Sequence, residues 1–176
     1  MVVIYIFILI IGQSGSGKSA FAEKKVVEFG DYKRVYLATM QVFDAEGEKR
    51  VSKHKKMRES KNFTTIESQT HIENIVLDEE NVALLECMSN LVANEIFSDA
   101  GRGSQKVADV VCDGIKMLKS QAKHLVVVTN DVFSDGITYD KSTDDYMRKL
   151  GEINCRMGNM ADEVYEVVDS ISLRIK

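Results

Sequence analysis

Gly12-Gln13-Ser14-Gly15-Ser16-Gly17-Lys18-Ser19 has the spacing G-x-x-x-x-G-K-[ST], and its reading decides the fold. The glycines let the backbone turn so that consecutive N–H groups face inward, a nest for phosphate oxygens. Lys18 adds a point charge for the outer phosphates, and the Ser19 hydroxyl is an oxygen ligand for Mg²⁺. The flanks agree. Residues 2–10 are continuously apolar, Tyr5 among them, and read as a buried parallel strand feeding the loop. Residues 19–27 read as a helix whose positive dipole end aims at the phosphates.

Further along, apolar runs alternate with helical spacing. Strands are predicted at 34–38, 63–66, 82–86, 124–129, 163–168 and 171–175. Helices are predicted over 43–60, 72–77, 88–97, 105–119 and 143–160. Such alternation predicts an α/β, P-loop NTPase-like fold: a mostly parallel sheet with helices on both faces and a C-terminal pair of strands. No repeat, low-complexity segment or linker interrupts it, so residues 1–176 read as one nucleotide-binding domain. Residues 98–104 and 131–141 are the expected mobile loops.

Composition narrows the class of function. The net charge of −4 and the lack of aromatic–basic interleaving argue against a nucleic-acid surface. The apolar start is shorter than the ~20 residues of a membrane span and has no basic stretch before it. No membrane span or targeting segment is expected. Cys87, Cys112 and Cys155 are scattered, with no C-x-x-C, so neither a disulfide framework nor a zinc site is implied. A reducing, cytoplasmic location follows as the expectation. Cys87 and Cys112 sit among apolar residues and read as packing groups.

A second constellation lies at 44–58. If helical, Glu46, Arg50, His54 and Arg58 recur every four residues and form one stripe, with Lys53, Lys55 and Lys56 beside it. Cations around an imidazole favour its neutral, nucleophilic form and attract a triphosphate. Attack of an imidazole nitrogen on phosphorus, giving a phosphoramidate, is the chemistry that fits. A solvated basic face carrying a passenger histidine is the alternative, and Gly47 weakens the helix by ~1 kcal/mol relative to alanine.

Beyond the phosphate loop, the chain carries Ser19-Ala20-Phe21-Ala22-Glu23, Tyr36-Leu37-Ala38-Thr39, Asp44-x-Glu46…Arg50-Val51-x-x-His54-x-x-x-Arg58, Leu84-Leu85-Glu86-Cys87 with Asn94 and Phe97, Val128-Thr129-Asn130-Asp131-Val132, Gly151-x-x-Asn154 and Ala161-Asp162-Glu163-Val164. Taken together, nearly end to end, these resemble the bifunctional adenosylcobinamide kinase / adenosylcobinamide-phosphate guanylyltransferase family of cobalamin biosynthesis. The phosphate loop alone is common to many NTPases; the block around His54 is far more specific. The resemblance implies two activities. One phosphorylates adenosylcobinamide from a nucleoside triphosphate, and the other transfers GMP from GTP through a guanylylated histidine to adenosylcobinamide phosphate. It implies His54 as that nucleophile and a homotrimer with sites near subunit contacts. GTP and ATP are then substrates, Mg²⁺ the cofactor, and small molecules the partners. Gly12, Gln13, Ser14, Gly15, Ser16, Gly17, Lys18 and Ser19 bind phosphate, with Lys18 also catalytic. Arg50, Arg58 and Glu86 complete the nucleotide site, and Ser19 and Glu86 hold Mg²⁺. Glu23 reads as a structural partner in the first helix.

Departures fall on the substrate side. The family's doubled histidine is Lys53-His54, its Arg-Pro is Arg58-Glu59, and its Asn-Glu-Val-Gly-x-Gly-Ile-Val-Pro loop is the longer Asn130–Tyr139 stretch without proline. The chain has no proline at all, so that loop is less stiff. The family's Arg-x-Phe-Arg-Asp is matched only loosely by residues 144–148, and its Asn-Gln by Asn154-Cys155. Two other readings therefore stand beside the first: a different small-molecule P-loop kinase, and a drifted, non-catalytic nucleotide-binding relative.

Overall fold

The computed structural model describes residues 5–42, 45–133 and 136–176. Residues 2–4 of the apolar start, Asp44 of the histidine block and residues 134–135 of the long loop lie outside the described residues, as do the side chains of Glu46, Arg50 and Lys53.

Seven strands form one sheet: β1 (Ile6–Gly12), β2 (Lys33–Ala38), β3 (Phe63–Glu67), β4 (Asn81–Leu85), β5 (His124–Asn130), β6 (Glu163–Val168) and β7 (Ile171–Arg174). Their order across the sheet is β3-β2-β4-β5-β1-β6-β7. All neighbouring pairs are parallel except β6 with β7. Five helices connect them: α1 (Lys18–Glu28), α2 (Ala45–Arg58), α3 (Met88–Phe97), α4 (Val107–Gln121) and α5 (Lys141–Met160).

Successive strand side chains point to opposite faces. Ile8 and Ile10 of β1 and Val126 and Val128 of β5 therefore meet Ala22 and Val26 of α1 on one face. Phe7 and Leu9, with Leu125 and Val127, meet Leu91 of α3, Ile115 and Leu118 of α4, and Ile153 and Met157 of α5 on the other. Burial on both faces is why the central strands read as unbroken apolar runs, and each fully buried aliphatic contributes about 1.5–3 kcal/mol.

Most boundaries shift by one or two residues, and two departures from expectation have a visible cause. Residues 72–77 form only a 3-10 turn, Ile72–Asn74, before the backbone extends at Ile75. Ile72 is drawn against Gly114 of α4, where an added Cβ would lie 2.7 Å from Ile72 Cγ1. Ile75 and Leu77 join the same core, so tertiary burial overrides local helical spacing. Helix α5 starts earlier than expected because Asp140 caps it. One carboxylate oxygen accepts from the N–H groups of Ser142 and Thr143 at 2.8 and 3.1 Å. The 98–104 stretch is irregular but knit to α3, with Gly103 N–H donating to Glu95 C=O at 2.8 Å.

The chain leaves β1 toward β2 on one side and later places β6 on the other. The crevice at the carboxyl ends of the strands flanking such a reversal is where open α/β sheets hold ligands. Gly12, Glu67, Glu86 and Asn130 all stand at that edge.

Candidate functional site

Three cavities open along this edge. The first is the hollow of the phosphate loop, about 220 Å³, lined by Gly12 to Ser16, Asp131 and residues 166–169. Gly15 and Gly17 have φ of 79° and 90°, which only glycine adopts without strain. Gly17 is also the N-cap of α1 and gives it no side-chain cap, so the first-turn N–H groups remain for an anion. Space forbids a side chain at two glycines. A Cβ on Gly12 would lie 2.6 Å from Val167 C=O, and one on Gly17 would lie 2.8 Å from Ser170 Oγ. The turn of the β6–β7 hairpin is bonded to the loop, with Ser170 N–H donating to Ser16 C=O at 2.8 Å.

Lys18 folds over the loop and donates to Gln13 C=O at 2.9 Å. It is 8% exposed. Burial lowers its pKa, opposed by the nearby Cys87 thiol. A buried ammonium whose partner is a neutral carbonyl gains most from a phosphate oxygen. The Ser16 hydroxyl is buried with no partner among the described residues.

The second cavity, about 510 Å³, lies between α2 and the sheet. Tyr36 and Ala38 of β2 and Thr65 and Glu67 of β3 form its floor. Register places Tyr36 beside Thr65 and Ala38 beside Glu67. Val51, His54, Lys55 and Arg58 of α2 form the wall, and Glu86 closes the end nearest the phosphate strand. Glu86 and Glu67 are separated by one strand, roughly 10 Å.

Arg58 lies 3.3 Å above the centre of the Tyr36 ring and is 8% exposed. A guanidinium flat on an aromatic face is held by cation–π attraction. The Tyr36 hydroxyl lies near Glu86. Burial first, then the Glu86 charge, pushes its pKa up against the opposing pull of Arg58. Arg58 Nη1 and His54 Nδ1 are both buried without a partner among the described residues. The two side chains, one turn apart on α2, line the same cavity, where an anion would add a partner for buried, unsatisfied groups.

The third cavity, about 560 Å³, runs from Gln13, Ser14 and Asp131 along the start of α5, past Tyr139, Thr143, Tyr146 and Met147.

The structure thus gathers His54, Arg58 and Glu86 into one cavity, and Gly12, Gln13, Ser14, Gly15 and Ser16 into another. Lys18 lines neither, but it is bonded to Gln13 and lies near Cys87, the neighbour of Glu86. Ser19 sits in the first turn of α1 and lines neither cavity. Arg50 is on α2, with its side chain outside the described residues. Ser19 and Glu86 offer only hard oxygen donors, the set that Mg²⁺ takes. Glu23 is buried in α1 and paired with Lys61 just beyond α2, a structural contact. Sequence reasoning missed Tyr36 as the seat of Arg58, and it missed Glu67 and Asp131 as lining residues. The signal for all three is strand order, which no local pattern carries. Away from this edge, His71, Glu73 and Glu95 lie within 4.8 Å of one another, with Arg102 paired to both carboxylates. The guanidinium supplies the positive charge there.

Fold and loop together define a nucleotide-binding enzyme of the P-loop NTPase class. The flagellar accessory protein FlaH of Methanocaldococcus jannaschii superimposes with a TM-score of 0.55 at 14% identity, over 97% of this chain and 78% of that one. A DnaB-like replicative helicase gives 0.50 at 12% identity, over 92% of this chain and 46% of that one. At such identities the likeness is one of fold. Residues 8–175 match the profile of the family described as cobinamide kinase / cobinamide phosphate guanyltransferase, and the chain belongs to that family. It is 30% identical to the bifunctional adenosylcobalamin biosynthesis protein CobU of Salmonella typhimurium, over 96% of this chain and 99% of that protein. It is 29% identical to the protein of the same name from Escherichia coli, with the same coverage. Kinase and nucleotidyltransferase, the enzyme class expected from the sequence, is the class of this family. No helix among the described residues is long and apolar enough to cross a membrane.

Proposed function

We propose that this protein phosphorylates adenosylcobinamide from a nucleoside triphosphate, and that it transfers GMP from GTP to adenosylcobinamide phosphate through a covalent intermediate on His54. The observation that carries this reading is that His54 and Arg58, each with a buried nitrogen unpartnered among the described residues, line one cavity with Glu86.

In the first half of the transfer, a nitrogen of His54 attacks the α-phosphorus of GTP. The bond from that phosphorus to the β-bridging oxygen breaks, and pyrophosphate leaves. The phosphate loop and Lys18 receive the charge that builds on pyrophosphate, while Arg58 steadies the α-phosphoryl oxygens. In the second half, a phosphate oxygen of adenosylcobinamide phosphate attacks the same phosphorus, and the phosphorus–nitrogen bond breaks. Ser19 and Glu86 would hold Mg²⁺, which would supply neutralisation of phosphate charge. The resemblance supports Arg50, one turn before His54 on α2, as a further nucleotide-binding residue. The resemblance supports a trimer as the working assembly and the cytoplasm as its location.

The test is intact-mass measurement after exposure to GTP and Mg²⁺. The expected result is one added GMP, labile in acid, stable in alkali and absent from His54→Ala. Transfer of the terminal phosphoryl group with no adduct would mean an ordinary small-molecule kinase. GTP binding with neither reaction would mean a drifted binding protein.

A further inference from the structure

We propose that a fourth hollow, between the end of β2 and the C-terminal end of α3, holds the corrinoid body of adenosylcobinamide phosphate, the acceptor in GMP transfer, with Phe97 as its apolar shelf. This rests on the transfer half of the reading above. The hollow is about 590 Å³, and Gln41, Asn94, Phe97, Ser98 and Asp99 are among its lining residues. Gln41 also lines the His54 cavity, so the two spaces meet at that side chain. One buried amide pins the junction. Asn94 Nδ2 donates to Thr39 C=O at 2.8 Å and to Gln69 C=O at 2.9 Å, tying α3 to the segments that follow β2 and β3. Gln69 is itself part of the His54 cavity.

The lining suits a broad macrocycle with an apolar face and peripheral amides. Phe97 is 57% exposed at the end of a helix whose Leu91 and Val92 are wholly buried. Its ring leans on Tyr146, with centroids 6.3 Å apart. The chain beyond it is fixed: Ser98 Oγ donates to Asn94 C=O at 2.7 Å, and a Cβ on Gly101 would lie 2.4 Å from Glu95 C=O. An ordered, exposed aromatic beside the Gln41 amide offers both kinds of contact. Charge sets the direction of the ligand. Asp99 is the one charged residue lining the hollow among the described residues, whereas Lys55 and Arg58 line the His54 cavity. A phosphate group is driven out of the hollow and past Gln41 toward His54. Leu91 and Val92 of α3 belong to the core on one face of the sheet, and Tyr36 of the His54 cavity belongs to the core on the other. Acceptor and histidine therefore meet over the carboxyl edge of the sheet.

The step balances without any further reactant. A phosphate oxygen of the acceptor bonds to the phosphorus carried by His54. The phosphorus–nitrogen bond breaks, and its electron pair returns to the imidazole.

The test separates the two halves of the transfer. Protein guanylylated with GTP and Mg²⁺ and freed of nucleotide would be discharged in two ways: forward by adenosylcobinamide phosphate, and in reverse by pyrophosphate. In Phe97→Ala, the acceptor concentration for half-maximal discharge is expected to rise about tenfold, the scale for losing one aromatic contact. Adduct formation and discharge by pyrophosphate should stay within about threefold of the wild type. Ala100→Trp, which fills the hollow from its rim, is expected to raise the acceptor concentration at least as far. Equal slowing of both discharges would mean a general disturbance of the His54 cavity and would overturn the assignment. So would unchanged forward discharge in both variants. A changed sedimentation coefficient with forward discharge unchanged would make the Phe97 face a contact between copies of this chain, and would overturn it as well. Absence of any adduct from the wild type would instead sink the transfer reading on which the site rests.

Discussion

The phosphate hollow and the His54 cavity are built by opposite means. In the hollow, main chain does the binding: Gly15 and Gly17 at positive φ, an uncapped α1 terminus and one lysine lying on a carbonyl. The His54 cavity is lined instead by side chains from β2, β3, α2 and the end of β4, and Arg58 is positioned by the ring of Tyr36. A site made of backbone tolerates almost no change at its glycines and is specified by eight consecutive residues. A site made of side chains is specified only by the fold as a whole, and its chemistry can be altered one residue at a time.

The sharpest way to break this contrast is Lys18→Ala. If both reactions share one triphosphate cradle, each should fall by about 10²–10³-fold, the scale for losing one preorganised charge partner. Parallel kinase and adduct assays check this, and loss of only one activity would mean two independent nucleotide sites. Next comes Arg58→Lys. A lysine keeps the charge but neither lies flat on Tyr36 nor offers a fork of donors. Adduct formation should fall about thirtyfold with kinase turnover unchanged, since a stacked, desolvated cation–π contact is worth roughly 2 kcal/mol. Full activity in the lysine variant would show that charge alone suffices.

The smallest effect tests the frame away from both regions. His124 at the start of β5 stacks on Phe29 at 3.9 Å, and its Nδ1 accepts from Ile6 N–H at 3.2 Å. Burial, with help from the Lys123 charge, holds its pKa below the ordinary imidazole value. The unfolded chain, with a value of about 6.5, then binds the proton more readily than the folded one. Stability from this group is complete above about pH 6.5 and is lost as pH falls through the lower folded value. Urea unfolding from pH 7.5 to 5 should show this decline, shallower in His124→Gln. An equal slope in the variant would assign the decline to other groups.

The same contrast explains which parts of the molecule the sequence displays. The apolar run, the glycine loop and the helix after it interact with their chain neighbours, so β1, the hollow and α1 are visible in the order of residues. The alternation of strands and helices likewise declares the parallel sheet. The stripe on α2 brings His54 and Arg58 to one side, but what they face depends on β2 and β3, whose pairing is a matter of sheet order. Tyr36 looks like one more buried aromatic until Arg58, 22 residues later, comes to rest on it. Asp131 looks like a loop acid until β5 is found beside β1. The misread helix at 72–77 fails for the same reason, since Ile72 answers to Gly114 rather than to its own neighbours.

The bond from Ser170 to Ser16 has an effect on the order of events during synthesis. The phosphate loop leaves the ribosome first, and the turn that braces it is made some 150 residues afterwards. A nascent chain that has reached only α5 carries every glycine of the motif without its support. The bracing of the phosphate loop is thus a late event in the life of the polypeptide, completed only when the far end of the sheet has closed.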